Sequence, residues 1–203
     1  MRVEFLGTGT STGVPMIGCR CDVCRSKDSR DRRLRSSVCL TVDDKNILID
    51  CGPDFRQQML RSGIDHIDAV LLTHEHYDHT SGLDELRNFS RNNPIPIYAE
   101  PNVLDIIHQR LFYCFSEQPN PGVAHLELKA IENLSPFTLF GIDIEPVRVW
   151  HYRLPIIGYR IGRFAYITDM LTIPDGECAK LSNLDTLVVN ALRHKPHISH
   201  QNL

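Results

Sequence analysis

Thr73-His74-Glu75-His76-Tyr77-Asp78-His79 follows directly on the apolar run Ala69-Val70-Leu71-Leu72. A continuous apolar run of that kind reads as a strand covered on both faces. Four potential metal ligands, His74, His76, Asp78 and His79, then fall within six residues. Neither a helix nor a strand converges four such side chains. The segment therefore predicts a loop at the carboxyl end of a strand, where sites in layered α/β folds tend to sit. A turn there can aim His74 and His76 at one cation while Asp78 and His79 reach a second. Imidazole suits zinc, iron and manganese, and a carboxylate adds charge and hardness. The plain alternative is a polar surface loop that happens to be rich in histidine. The acids at fixed spacing, and further candidates downstream, weigh against it.

Those candidates are His151, after Val147-Arg148-Val149-Trp150, and Asp169, after Phe164-Ala165-Tyr166-Ile167-Thr168. Taken singly, each is a residue that caps a strand or opens a turn. Taken with the histidine loop, they point to one constructed site.

Outward from the loop, the pattern is mostly strands with interspersed helices. Val3 to Leu6 is a short apolar strand running into the glycine-rich loop Gly7-Thr8-Gly9-Thr10-Ser11-Thr12-Gly13. Val38 to Val42 and Ile47 to Asp50 read as two strands joined by a polar turn. Pro53 to Ser62 reads as a helix stopped by Gly63. A short helix is expected over Gly82 to Phe89, a strand over Ile95 to Ala99 and a helix over Val103 to Phe112. Residues 126 to 167 are β-rich, with strands at Phe137–Leu139, Ile142–Glu145, Val147–Trp150, Gly158–Ile161 and Phe164–Ile167, and Leu187–Val189 is a last strand. Periodicity alone supports a layered α/β or α+β domain, with two sheets packed together and helices outside.

The chain has 203 residues, 42% hydrophobic and 23% charged, which fits one sizeable core and a single domain over 1–203. Its formal charge of -3 provides no global basic field, so nucleic acid is not an expected partner, although Arg30, Arg32, Arg33 and Arg35 form a local basic run. Glu4 interrupts the only apolar run at the amino terminus, which excludes a signal-peptide reading. No stretch approaches the roughly 18 apolar residues of a membrane span. A cytoplasmic location is expected, and there the seven cysteines would stay reduced. Cys19, Cys21 and Cys24 lie within six residues of one another in a loop at about 18–25, and can wrap a tetrahedral zinc. Buried small hydrophobes or a redox pair are the alternatives. Charged Arg20 and Asp22 between the thiols argue against core packing. Cys39, Cys51, Cys114 and Cys178 are scattered and read as core residues or spectators.

Thr-His-x-His-x-Asp-His after a buried strand, Gly7-Thr8-Gly9 after the first strand and Leu48-Ile49-Asp50-Cys51-Gly52 between them resemble the metallo-β-lactamase superfamily. The early Cys-x-Cys-x-x-Cys loop and the terminal His200-Gln201-Asn202-Leu203 resemble its PhnP-type cyclic-phosphate phosphodiesterases. The resemblance implies an αββα sandwich. It also implies that His74, His76 and His151 hold one divalent ion, that Asp78 and His79 hold the other and that Asp169 bridges both. Zinc or manganese, with iron compatible, would occupy these positions. Asp50 would lie beneath the site, fixing a ligand. Cys19, Cys21 and Cys24 would bind a structural zinc. Relatives continue past this point with a helix, a strand and late histidines that complete the second metal and the structural zinc, so the fold is expected to lack that carboxyl-terminal segment.

The activity so implied is hydrolysis of a small, cyclic phosphodiester through a metal-bridging hydroxide. Asp78 and His200 would be the catalytic residues, with His200 protonating the leaving group. Arg35 or Arg193 could orient a terminal phosphate, or either could be a solvated surface arginine. Two rivals stand beside this reading. One is an RNA-processing ribonuclease of the tRNase Z kind, although no basic or Gly/Pro-rich arm is visible. The other is a non-catalytic or truncated metal-binding member of the fold. A homodimer is common among relatives and is a further expectation.

Overall fold

A computed structural model describes residues 1–203. The chain folds into two compact units, residues 1–130 and 131–203, each built on one mixed sheet.

The first sheet has the order β1-β2-β3-β4-β5-β6, so every strand pairs with its neighbour in the chain. Its strands are β1 (Arg2–Gly7), β2 (Ser37–Val42), β3 (Lys45–Ile49), β4 (Ala69–Leu71), β5 (Ile95–Ala99) and β6 (Leu126–Ala130). The first three run antiparallel, and β3 to β6 run parallel. Asp43 and Asp44 join β2 to β3 with φ of 45° and 63°. Two positive φ values make the primed turn whose twist suits a tight hairpin. The parallel strands need crossovers. One is helix α2 (Phe55–Ser62), which Gly63 ends in the left-handed conformation at φ 71°. Another is α4 (Pro101–Arg110), opened by proline in its first turn. Leu48, Val70, Leu72 and Ile97 from the sheet side pack with Phe55, Leu86, Val103 and Ile107 in one buried cluster.

Two short helices complete this unit, α1 (Asp22–Arg25) in the cysteine loop and α3 (Tyr77–Thr80) in the histidine loop. The helix expected over Gly82 to Phe89 is a 3-10 segment, Leu83–Asn88.

The second sheet has the order β11-β10-β9-β8-β7. Its strands are β7 (Phe137–Leu139), β8 (Ile142–His151), β9 (Leu154–Ile161), β10 (Phe164–Ile167) and β11 (Thr186–Val189). Only β10 and β11 pair in parallel. Helix α5 (Asp175–Cys178) lies between them in the chain. Val147, Val149, Ile156 and Ile167 form the buried cluster, with Met170, Ile173 and Leu181 against it.

The sequence predicts separate strands on either side of Pro146, whereas the structure carries one strand through it, with Pro146 opposite Tyr159. Proline survives where its missing N–H would not have faced the ladder. Two residues on, with the same orientation, the Arg148 N–H donates not to β9 but to Glu177 Oε2 at 2.7 Å. The nitrogen of Pro146 therefore faces away from β9.

Candidate metal centre

The first candidate ligand set is built by the turn after β4. Leu72 N still bonds to Tyr98 O, and the chain then leaves the sheet. Short helix α3 brings His79 back, and His79 O accepts from Cys51 N at 2.8 Å. The loop can approach Cys51-Gly52 this closely because Gly52 has no side chain. A Cβ there would stand 2.0 Å from Asp78 O, and one at Gly82 would stand 2.1 Å from Gly52 O.

Beneath the loop lies Asp50, fully buried at the end of β3 with φ 62°. Its carboxylate accepts from Thr73 N (2.8 Å), Thr73 Oγ1 (2.9 Å to Oδ2) and His79 Nδ1 (2.7 Å). Burial pushes the Asp50 carboxyl up, while His79 and Thr73 pull it the other way. Because the Thr73 hydroxyl proton goes to Asp50, Thr73 Oγ1 is an acceptor toward His74 Nδ1 at 2.9 Å. Both His74 and His79 therefore carry their proton on Nδ1, which leaves Nε2 as the electron-pair donor of each ring. His74 Nε2 stands 3.0 Å from His76 Nδ1, and His79 Nε2 stands 3.3 Å from Asp78 Oδ2. The four residues that the sequence reading grouped are thus brought together as two close donor pairs.

The second set belongs to the other unit. His151 ends β8, and Asp169 lies just past β10 with φ 56°. Ligand-capable atoms of His151, Asp169 and His200 all lie within 4.8 Å of one another. His151 Nδ1 donates to Ser199 O at 2.9 Å, so this ring also presents Nε2. Asp169 Oδ1 accepts from Thr168 Oγ1 at 2.9 Å, and Asp169 Oδ2 is 3.6 Å from His200 Nε2. The other nitrogen of His200 faces Ser199 Oγ (3.0 Å) and His197 Nδ1 (3.1 Å). Burial, with His200, Arg193 and His151 around it, holds His197 below the usual imidazole value.

In the cysteine loop, the sulfurs of Cys19, Cys21 and Cys24 also lie within 4.8 Å of one another. Met16 N–H donates to Cys24 Sγ at 3.4 Å. Hydrogen bonds from the Cys24 backbone and from the Cys19 and Cys24 thiols lower the Cys21 thiol. The remaining thiols behave differently. Cys39, Cys51 and Cys114 are buried, and burial pushes Cys39 up to about 12, so it stays a thiol. Cys178 is exposed.

A family model described as the beta-lactamase superfamily domain matches residues 45–203. The chain belongs to the metallo-β-lactamase superfamily. Among solved structures of this superfamily, a diphosphatase from the PhnP family is 43% identical, with a TM-score of 0.91 over 99% of this chain and 77% of that one. Zinc-bound PqqB from Methylobacterium extorquens is 25% identical, with a TM-score of 0.77 over 96% of this chain and 74% of that one. A protein named octanoyltransferase, from Porphyromonas gingivalis, is 50% identical over 205 residues. That match takes in all of this chain but only 42% of the Porphyromonas protein, so the chain spans less than half the length of that relative.

The metallo-β-lactamase fold implies divalent metal ions, and the donor chemistry here fits them. Imidazole nitrogens stand beside carboxylates, and Nδ1 of three rings is bonded to a protein acceptor elsewhere. No helix is long and apolar enough to cross a membrane. Two functional contacts were not visible in the sequence reading. Thr73 heads the motif with no role marked by its pattern, yet its hydroxyl links His74 to Asp50. The Ser199 carbonyl orients His151 from 48 residues away, and no sequence signal marks it. Arg35 is half-buried and not a solvated surface arginine. It pairs with Asp54 at 3.0 Å and donates to Ser11 O at 2.8 Å, tying the glycine-rich loop to the start of α2. Arg193 donates to Lys195 O and Pro196 O, within its own turn.

Proposed function

We propose that this chain is a metal-dependent hydrolase of small phosphodiesters, cyclic phosphates included. The observation that carries the reading is the fixed tautomer of His74, His79 and His151. Each commits Nδ1–H to a protein acceptor and offers Nε2. The similarity to a PhnP-family diphosphatase supports chemistry at phosphorus. The octanoyl transfer in the name of the Porphyromonas protein is not carried over, since this chain matches 42% of it.

In this reading His74, His76, Asp78 and His79 of the first unit, and His151 and Asp169 of the second, would be the residues that hold the ions. Zinc or manganese, and also iron, suits such donors. Cys19, Cys21 and Cys24 hold a structural zinc. When bound, two divalent ions lower the pKa of a coordinated water and stabilise negative charge on a phosphoryl oxygen. The protein's part is to keep the imidazoles neutral and aimed. His200 holds a proton at Nε2, on the edge of the ring that faces Asp169, and delivers it to the departing oxygen.

Diphosphate hydrolysis is the second reading, favoured by the diphosphatase that is 43% identical. The two differ in the group that leaves. An alkoxide is far more basic than a phosphate or a nitrophenolate and needs the proton more. The test compares His200→Ala with the unsubstituted chain on a cyclic ribose phosphate, bis(p-nitrophenyl) phosphate and a nucleoside diphosphate. A loss of about 10²–10⁴-fold on the cyclic ester, with a much smaller loss on the nitrophenyl ester, is expected. Equal losses on all substrates would remove His200 from the proton-donor role. Turnover of the diphosphate alone would select the second reading. His76→Ala should abolish turnover of whichever substrate is used.

A further inference from the structure

Asp169 occupies an awkward position. Its φ of 56° is left-handed, a conformation that single aspartates visit but that most residues with a Cβ avoid. It also breaks the ladder between β10 and β11, whose last paired residues are Ile167 and Val189. Main-chain pairing therefore ends two residues before the carboxylate that the site needs. Asn190 takes over from there. It is the residue after β11, and its side-chain amide reaches the residue after Asp169. Met170 N donates to Asn190 Oδ1 at 2.7 Å, and Asn190 Nδ2 donates to Met170 O at 2.9 Å. This two-point contact copies what an opposing backbone would have made, at a place where none can follow the turn. Gln201 N adds a second donor to Met170 O at 2.8 Å.

We propose that Asn190 is a positioning residue for Asp169, and that its amide clamp on Met170 holds the left-handed turn from which the Asp169 carboxylate reaches metal. The inference rests on the reading of Asp169 as a ligand. Asn190 is suited to the task because a primary amide offers one acceptor and one donor side by side, matching the N–H and C=O of a single residue. Aspartate offers only the acceptor, and alanine neither. Outer partners of metal ligands typically contribute tenfold to hundredfold in metal affinity.

The experiment uses the full chain loaded with Co(II), with affinity read by chelator competition and ligand geometry by the visible spectrum. Asn190→Ala, Asn190→Asp and Asp169→Asn are compared, each with a thermal melt of the metal-free protein. Asp169→Asn should alter the cobalt spectrum and weaken binding. Asn190→Ala should weaken binding by about ten- to hundredfold and change the same spectral bands. Asn190→Asp, which keeps the bond from Met170 N, should fall between Asn190→Ala and the unsubstituted chain. Should Asp169→Asn perturb cobalt while both Asn190 variants bind as the unsubstituted chain does, the clamp is not a positioning device and the ligand reading survives. Should Asp169→Asn leave cobalt untouched, the ligand reading fails and the inference falls with it. A loss in Asn190→Ala that appears only as a lower melting temperature, with cobalt affinity and spectrum intact in Asn190→Asp, would also overturn it.

Discussion

The two candidate ligand sets solve one problem in different ways. In the first unit, His74 to His79 come from a single loop, held from below by one buried carboxylate that orders two rings at once. In the second, His151, Asp169 and His200 come from three separate places, and what orders them is hydrogen bonding from residues 190–203. Both sets place an aspartate in left-handed backbone at a strand's end, Asp50 after β3 and Asp169 after β10. Yet Asp50 is fully buried and faces only its own network, while Asp169 is half-buried and faces His200. A buried organiser is bound up with folding, whereas a half-buried candidate ligand, held in the protein by Thr168 and facing His200, is less so. That difference can be tested.

The largest effect is expected at Asp50. Asparagine tolerates left-handed backbone, so Asp50→Asn and Asp169→Asn leave the turns themselves acceptable. In Asp50→Asn an NH₂ replaces one oxygen among three donors. If it faces His79, the ring must accept at Nδ1 and move its proton to Nε2, the nitrogen meant for metal. Metal affinity should then fall by about a hundredfold or more, since such partners fix tautomer and orientation together. The metal-free protein should also lose about 1–3 kcal/mol in urea unfolding, the cost of an unsatisfied buried group. Asp169→Asn should weaken metal binding too, but shift metal-free stability by no more than about 0.5 kcal/mol. Equal stability losses in the two variants would erase the distinction between organiser and ligand.

An intermediate effect is expected at the glycines. A methyl group at Gly52 would have to displace the Asp78 backbone, because it would start 2.0 Å from that carbonyl oxygen. Overpacking of this kind costs about 1–3 kcal/mol, and here it also moves Asp78 and His79. Gly176 in α5 has nothing within 4 Å of an added Cβ. Gly176→Ala should therefore be neutral or gain about 0.4–1 kcal/mol. Thermal melts and metal content of both variants sharpen the contrast. A Gly52→Ala protein that binds metal normally would mean that the loop tolerates a shift, and that Asp50 alone carries its order.

How much of this could be read in the sequence follows the same division. The first set was legible as a candidate because its residues are contiguous and sit after an unmistakable apolar strand. His151 and Asp169 were legible only as strand ends that made sense beside the loop. The contacts of residues 190–203 with Met170, Leu171 and His151 were not legible at all. They depend on the chain's return to a particular height beside β10, which no local pattern encodes. Pro146 misled for a related reason. Its effect depends on which way its nitrogen faces, and that is decided by pairing with β9 rather than by proline itself. Arg35 looked like a surface cation because the sequence does not show Asp54 beside it.

The smallest effect concerns a histidine of the first unit that stands outside the ligand set. His74 and His79 each have one nitrogen committed and one offered. His66 has acceptors at both, with Nδ1 2.8 Å from Asp65 Oδ1 and Nε2 3.2 Å from Asp44 O. Asp68 Oδ2 is 3.5 Å away, although Asp68 also pairs with Lys45. The hydrogen bond to Asp65, joined by that to Asp44, raises His66 above its ordinary value of 6.5. A raised folded pKa means that folding favours the charged ring. Its stabilisation is complete below the unfolded pKa and is lost as pH rises through the folded value. Asp65 is held below its ordinary value by the same bond, so the pair also loses its contribution in acid, as pH falls through the lowered pKa of Asp65. Half the ring and most of Asp65 face water, so the effect is small and screened by salt. Metal-free melts of the unsubstituted chain and His66→Gln between pH 5 and 9 should differ most near the lower limit and converge at the upper. A constant gap would show that His66 contributes through contacts of the neutral ring. In that case the contrast between His66 and the candidate ligand rings would reduce to position alone.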